Sequence, residues 1–289
     1  MKPPVFRYVR AHTLEEAVLV LSREGGDAKV LAGGQSLVPM LNFRLAHPSA
    51  LIDINRIPDL DAITEETGAI RIGALTRHYA VESSPLIAEK LPLIAAAAKH
   101  VAHVTIRNRG TFGGSISHHD PAAEWPLVCR LFDAEISTTR ATGDRTLAAK
   151  DFFVSYLTTA LAEDEIVTGV RIPQPLDGTG WGFEEMSRRL GDFALAAVGV
   201  LMTMQKGVCR QARIAMAGVG STPLRASGAE TLLLGQTIND EAIATAAAHA
   251  ATECDPPTDI HASADLRRHL VSVLAQRALI AAVRRATSV

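Results

Sequence analysis

Val30-Leu31-Ala32-Gly33-Gly34-Gln35-Ser36-Leu37-Val38-Pro39 decides how the chain is read: a short apolar run stops at a glycine pair and passes straight into polar residues. The run, which with Lys29 spans residues 29–32, has the length of a buried strand. Glycines then allow a turn that bulkier residues adopt poorly. Upstream, Thr13-Leu14-Glu15-Glu16-Ala17 opens a helical pattern in which Thr13 and Glu16 have the spacing of a capping box. The order is helix, strand, glycine turn. Leu51-Ile52-Asp53-Ile54 and Ile70-Arg71-Ile72-Gly73-Ala74 supply two more strands, set apart by the turn formers Pro58-Asp59 and Thr67-Gly68. A small α/β unit follows.

A second glycine pair stands in Thr111-Phe112-Gly113-Gly114-Ser115. The alanine-rich stretch over residues 86–103 reads as one helix, which ends before the polar run Thr105-Ile106-Arg107-Asn108-Arg109-Gly110. A glycine pair after a strand lets the backbone approach another group and leaves amide N–H groups pointing outward, an arrangement suited to phosphate. Gln35, Ser36, Thr111 and Ser115 add side-chain donors. Neither loop is the G-x-G-x-x-G fingerprint or a P-loop ending in Gly-Lys-Ser/Thr, which disfavours both of those readings. Either pair alone also fits an ordinary turn. Two similar loops about a subdomain apart suit a ligand with two phosphates held from two sides.

Farther along, Pro126 falls at the start of a helix, and residues 134–139 and 166–172 read as strands. The Pro/Gly-rich stretch Pro173-Gln174-Pro175-Leu176-Asp177-Gly178-Thr179-Gly180 reads as a linker. It divides the chain into a domain over residues 1–176, with subdomains of about 1–57 and 58–176, and a domain over 177–289. In the second, residues 196–204 and 212–216 have strand patterns, and 227–234, 241–252 and 265–285 have helical ones.

The 289 residues, 47% of them hydrophobic, are enough to bury a sizeable core, and a formal charge of −2 gives no reason to expect nucleic acid as partner. Cys129, Cys209 and Cys254 are too few and too scattered for a disulfide framework, a zinc knuckle or an iron–sulfur ligand run. The opening Met1-Lys2-Pro3-Pro4-Val5-Phe6-Arg7 lacks the apolar core of a signal peptide, and residues 193–204, the longest apolar stretch, fall short of a membrane span. A cytoplasmic, non-transmembrane protein is expected. His118-His119-Asp120 contains metal-ligand types, yet adjacent side chains diverge and no second cluster is near in sequence, so no metal site is assigned. His100 and His103 fit a helix end, and Asp53, Asp59 and Asp61 a strand end and a turn. No nucleophile–base arrangement stands out, and no catalytic residue is assigned.

Three stretches together resemble the FAD-binding medium subunit of molybdenum hydroxylases, of the carbon monoxide, xanthine and nicotine dehydrogenase types. They are residues 30–39; residues 106–115 with His118-His119-Asp120-Pro121-Ala122-Ala123-Glu124; and Ser187-Arg188-Arg189-Leu190-Gly191-Asp192-Phe193-Ala194. The likeness spans nearly the whole chain in order. It implies an α+β protein: an FAD-binding domain of two α/β subdomains in the style of the vanillyl-alcohol oxidase and p-cresol methylhydroxylase superfamily, then a small α+β C-terminal domain of the carbon monoxide dehydrogenase flavoprotein type. It implies further that Ala32, Gly33, Gly34, Gln35, Ser36 and Leu37, with Thr111, Phe112, Gly113, Gly114 and Ser115, wrap the FAD pyrophosphate. By the same likeness Glu124 lies near the flavin or its ribityl chain, Val167 packs on the cofactor, and Phe193 stands beside the isoalloxazine ring.

The implied partners are a large molybdopterin-binding subunit and a small subunit with [2Fe–2S] clusters, assembled as a dimer of heterotrimers, with FAD passing electrons to an external acceptor. Two departures stand out. Ser115 replaces the family's usual asparagine, and Phe183-Glu184-Glu185 stands where many relatives have a lysine near the flavin. A self-contained FAD-dependent oxidoreductase and a non-catalytic nucleotide-binding module remain open as alternatives.

Overall fold

The computed structural model describes residues 2–286, so Met1 and the last three residues of the expected C-terminal domain lie outside it. The chain begins with β1 (Arg7–Arg10), α1 (Leu14–Glu24), β2 (Ala28–Leu31), α2 (Leu37–Asn42) and β3 (Ala50–Asp53). The three strands form a parallel sheet in the order β1-β3-β2. Thr13 caps α1, its hydroxyl accepting from the Glu16 N–H at 3.1 Å. The Glu16 carboxylate reaches the His12 N–H, one residue earlier than a regular capping box. Ala17, Val18 and Leu21 face inward and pack on Ile52 and Ile54.

The middle of the chain comprises β4 (Ile63–Glu66), β5 (Ala69–Gly73), α3 (His78–Ser83), α4 (Pro85–Lys90), α5 (Pro92–Ala98), α6 (Val104–Arg107), α7 (Phe112–His118) and α8 (Glu124–Leu131). These are followed by β6 (Glu135–Arg140), β7 (Gly143–Ala148), α9 (Ala149–Phe152), the short pair β8 (Phe153–Ser155) and β9 (Thr158–Thr159), and β10 (Ile166–Pro173). An antiparallel sheet runs β4-β5-β10-β6-β7. Two expectations are corrected here. The single helix over residues 86–103 is two short helices, because Pro92 has no N–H to continue α4 and instead opens α5. The second glycine pair does not follow a strand. Gly113 and Gly114 lie in the first turn of α7, and part of the preceding polar run is itself the helical turn α6.

The remainder holds β11 (Thr179–Met186), β12 (Ala196–Gln205), β13 (Val208–Ala217), β14 (Leu224–Arg225), α10 (Ser227–Leu233), α11 (Asp240–Thr252) and α12 (Ala264–Ala286). Its antiparallel sheet has the order β11-β12-β13-β14, with one face packed on α10, α11 and α12. The other face meets the middle part: Phe183, Ala197, Leu201 and Ala215 share a core with Trp125, Leu127 and Leu131. β11 begins inside the stretch read as linker. Gly180 and Gly182 serve close packing, since a Cβ on them would lie 1.9 Å from the Ala282 carbonyl oxygen and 2.1 Å from that of Ala278, on α12. No described helix is long and apolar enough to cross a membrane.

Candidate functional site

The two glycine loops meet in space. A Cβ on Gly33 would stand 2.3 Å from the Arg109 carbonyl oxygen and 2.8 Å from Gly110 Cα, so the first loop lies directly against the chain entering the second. A Cβ on Gly114 would be 4.0 Å from that of Ala32. Gly34 has φ +72°, a left-handed conformation that turns β2 into α2. The N–H groups of residues 33–37 donate to no acceptor among the described residues. Gln35 folds back so that Nε2 donates to the Gly33 carbonyl at 3.0 Å. Ser36 makes no side-chain capping bond, and Leu37 starts α2 half-buried. Five amides without acceptors in one tight turn leave partial positive charge suited to an anionic ligand.

The second loop differs. Its amides are spent inside the protein: Phe112 N–H donates to Thr76 O, Gly113 N–H to Ala74 O and Gly114 N–H to Thr111 Oγ1. The outward-facing amides expected from sequence are thus found in the first loop only, because the second glycines serve contact. A Cβ on Gly113 would lie 2.6 Å from Ala74 Cβ. The Phe112 ring points into the core, 4.9 Å from Trp125 between centroids. Thr111 is buried as the N-cap of α7, and Ser115 is half-buried with its hydroxyl unpaired among the described residues.

Residues that the sequence did not single out hold this arrangement. Asn55, just past β3, uses Nδ2 to bond the Leu31 and Ala32 carbonyls at 3.3 and 2.8 Å, and Asp53 Oδ1 accepts from that same amide at 2.7 Å. Arg77 donates to Asn55 Oδ1 at 2.7 Å and to the Arg109 carbonyl. His78 lies beneath Gly110, and its Nδ1 accepts from Trp125 Nε1–H at 2.9 Å. Burial, with Arg77 and Arg107 nearby, lowers the His78 pKa to about 4, so the ring is neutral and holds one tautomer. The signal available in sequence was position: polar residues just beyond the carboxyl end of a parallel strand are where α/β folds place ligand contacts.

Glu124, Val167 and Phe193 occupy different surroundings. Val167 on β10 is buried in the main core. Phe193, in the loop between β11 and β12, is 60% exposed. That loop rests on the α5–α6 connection, where a Cβ on Gly191 would meet the His103 ring at 2.4 Å. Glu124 opens α8 in a buried position and interacts electrostatically with Glu185 on β11. The Glu185 side chain is only 2% exposed; its Oε1 is 3.7 Å from His100 Nδ1, and its Oε2 has no partner among the described residues. The structure therefore brings the two glycine loops together, while Glu124 interacts with Glu185, which neighbours His100, and the loop that carries Phe193 rests on His103. His119 ends α7 in a left-handed conformation with Nδ1 3.0 Å from Thr158 O, and no described group of three His, Cys, Asp or Glu is placed to hold a metal.

Burial raises both acids, Glu124 to about 7 and Glu185, with Glu124 beside it, to about 9, so the pair retains a proton at neutral pH. A raised carboxyl favours the folded state fully below pH 4.5, and that contribution is lost as pH climbs through about 9. Glu185→Gln keeps the neutral shape without the titration. The variant is expected to match wild type in thermal unfolding at pH 5 and to exceed it by about 2 °C or more at pH 8. Parallel melting curves at every pH would refute the buried-proton assignment.

Two glycine loops in contact, one with a row of amides awaiting an anion, on an α+β scaffold with a smaller α+β part beyond, define a nucleotide-cofactor-binding protein. Residues 4–175 match the FAD-binding domain of molybdopterin dehydrogenases, and residues 181–282 match the C-terminal domain of carbon monoxide dehydrogenase flavoproteins. The chain belongs to this family, the FAD-binding medium subunits of molybdenum hydroxylases. It is 43% identical over 288 residues to the 6-hydroxypseudooxynicotine dehydrogenase complex subunit alpha of Paenarthrobacter nicotinovorans, covering 99% of this chain and 97% of the relative. To the carbon monoxide dehydrogenase medium chain of Hydrogenophaga pseudoflava it is 40% identical, covering 98% of each. A chain in a solved structure of carbon monoxide dehydrogenase from Hydrogenophaga pseudoflava superposes with a TM-score of 0.96 at 41% identity, covering 99% of both chains. The α+β fold expected from the resemblance, an FAD-binding part followed by a C-terminal part, is the fold observed.

Proposed function

We propose that this chain holds FAD between the two glycine loops and serves as the electron-transfer subunit of a multi-subunit molybdenum hydroxylase. The observation that carries this reading is the row of five amides at residues 33–37, free of acceptors and pressed against the second loop. Ala32, Gly33, Gly34, Gln35, Ser36 and Leu37 would hold the diphosphate with backbone donors. Thr111, Phe112, Gly113, Gly114 and Ser115 would support it, Ser115 through its unpaired hydroxyl and the others through shape. Glu124 and Phe193 would border the ring, and Val167 would act through packing beneath it. When bound, FAD supplies the redox chemistry; the chain's own part is to bind it, orient it and set the charge around it.

In the proposed complex the electrons come from [2Fe–2S] clusters in a small partner subunit and go to an external acceptor. Substrate oxidation belongs to a large molybdopterin-binding subunit, and the assembly is a cytoplasmic dimer of heterotrimers. The three cysteines support placing the clusters elsewhere: each is buried, and they lie apart, in α8, in β13 and just after α11. The FAD-binding domain would comprise residues 1–176, with subdomains of about 1–57 and 58–176, and the C-terminal domain residues 177–289.

Purification from the native host, with identification of associated chains and metal analysis, tests this reading. The expected result is two co-purifying chains carrying molybdenum and iron; recovery of this chain alone, active toward an organic substrate, would overturn it. A narrower test concerns the ring. Phe193→Ala should leave the fold intact and weaken FAD binding about threefold or more, because an exposed aromatic has little to hold in the protein itself. Unchanged flavin affinity and turnover would remove Phe193 from the site.

A further inference from the structure

Two arginines stand beside the glycine loops without a carboxylate to balance them. Arg77 is half-buried just before α3, and its guanidinium joins Asn55, which carries the first loop, to the Arg109 carbonyl, which precedes the second. Among the described residues no carboxylate lies within ion-pairing distance of it, and Asp53 and Asp61 act on it only from farther away. Arg109 is exposed, and its guanidinium makes no hydrogen bond or ion pair with any described residue. Burial, and after it repulsion from Arg109, holds the Arg77 pKa below its ordinary value. Like charges crowded at a site with no carboxylate within pairing distance disfavour the ligand-free protein and favour an anion between them.

We infer that Arg77 and Arg109 form a cationic subsite for the diphosphate of the nucleotide, with Arg77 also tying the two glycine loops in register through Asn55. This rests on the reading that FAD binds between the loops, and deepens it. The division of labour follows from chemistry. The amides of residues 33–37 give directional donors, while the guanidinium pair gives charge that neutral backbone lacks, and arginine's planar fork suits phosphate oxygens. Arg77 has two bonds to the protein and is a positioning residue as well as a cation. Arg109 has none and contributes charge alone.

The test uses full-length protein stripped of flavin and titrated with FAD and with ADP at low and high salt. Arg109→Gln removes charge without touching any contact in the fold; it should raise both dissociation constants about threefold or more at low salt, with the deficit shrinking at high salt. Arg77→Met should raise them about tenfold or more, and Arg77→Lys, which keeps charge but loses the fork, should recover part of that loss. If Arg77→Met fails to fold, Arg109→Gln decides. Wild-type affinity and salt dependence in Arg109→Gln, with wild type binding FAD, would overturn the cationic subsite alone. Wild type that binds neither FAD nor ADP would overturn the flavin reading as well.

Discussion

Gly33→Val should purify as a folded protein that has lost its flavin. The added Cβ would fall 2.3 Å from the Arg109 carbonyl oxygen and 2.8 Å from Gly110 Cα, both backbone atoms that cannot swing aside like a side chain. The first loop must then lift from the second, and the five free amides move with it. Binding depends on several weak donors converging on one ligand, so a shift of this size affects all of them together. The expected loss is about 100-fold in FAD affinity or more. Strand β2 ends before the change and its partner β3 lies well beyond it in sequence, so their pairing is untouched and the fold should survive with a modest fall in stability. Flavin-to-protein ratio after purification, followed by titration of the stripped protein, gives the answer. Normal flavin content in this variant would exclude the first loop from the site.

Gly182→Val should destabilise the C-terminal part by about 3 kcal/mol or more, lowering the unfolding midpoint by roughly 6 °C or more. Gly182 lies on β11 where α12 crosses it, and its Cβ would meet the Ala278 carbonyl oxygen at 2.1 Å and Ala278 Cα at 2.8 Å. Gly180 makes the same close approach one turn farther along α12, at Ala282, so the helix is seated by two glycines and cannot pivot on one of them. A valine forces α12 off the sheet and opens the core shared by Ala278, Leu274 and Val200. Calorimetry or thermal circular dichroism reads the effect, and an unchanged midpoint would contradict the helix–strand packing described here.

Gly182 and Gly180 also show where sequence reading stops. Local pattern captured β2, β3, β5, β10, β12 and the three C-terminal helices, because each alternates or repeats along its own length. β11 was hidden because its glycines mimic a linker, and their real cause is a helix some 100 residues away in sequence. The break between α4 and α5 was legible in Pro92 but outweighed by the alanine run after it. In the site, both glycine loops were visible as motifs. Their physical roles were not: one keeps its amides free, and the other spends them on Thr76, Ala74 and Thr111, a difference set by tertiary hydrogen bonds. Asn55 and Arg77 carry no motif at all, and Glu185 stands out only within Phe183-Glu184-Glu185, with nothing to say that it is buried. Asn55 and Arg77 matter because β3 and the residue before α3 end side by side, and Glu185 because β11 delivers it, buried, to Glu124. Burial keeps Glu185 protonated, so it adds no full negative charge to its surroundings.

Hydrogen exchange at residues 33–37, measured on flavin-free protein before and after adding FAD, tests most directly whether the first loop grips the cofactor. Without FAD those five amides should exchange rapidly, having no acceptor within the protein, whereas residues 112–115 should already be protected. On adding FAD, marked slowing at 33–37 with little change at 112–115 is the expected result. Bound FAD with exchange at 33–37 left as fast as before would contradict the site.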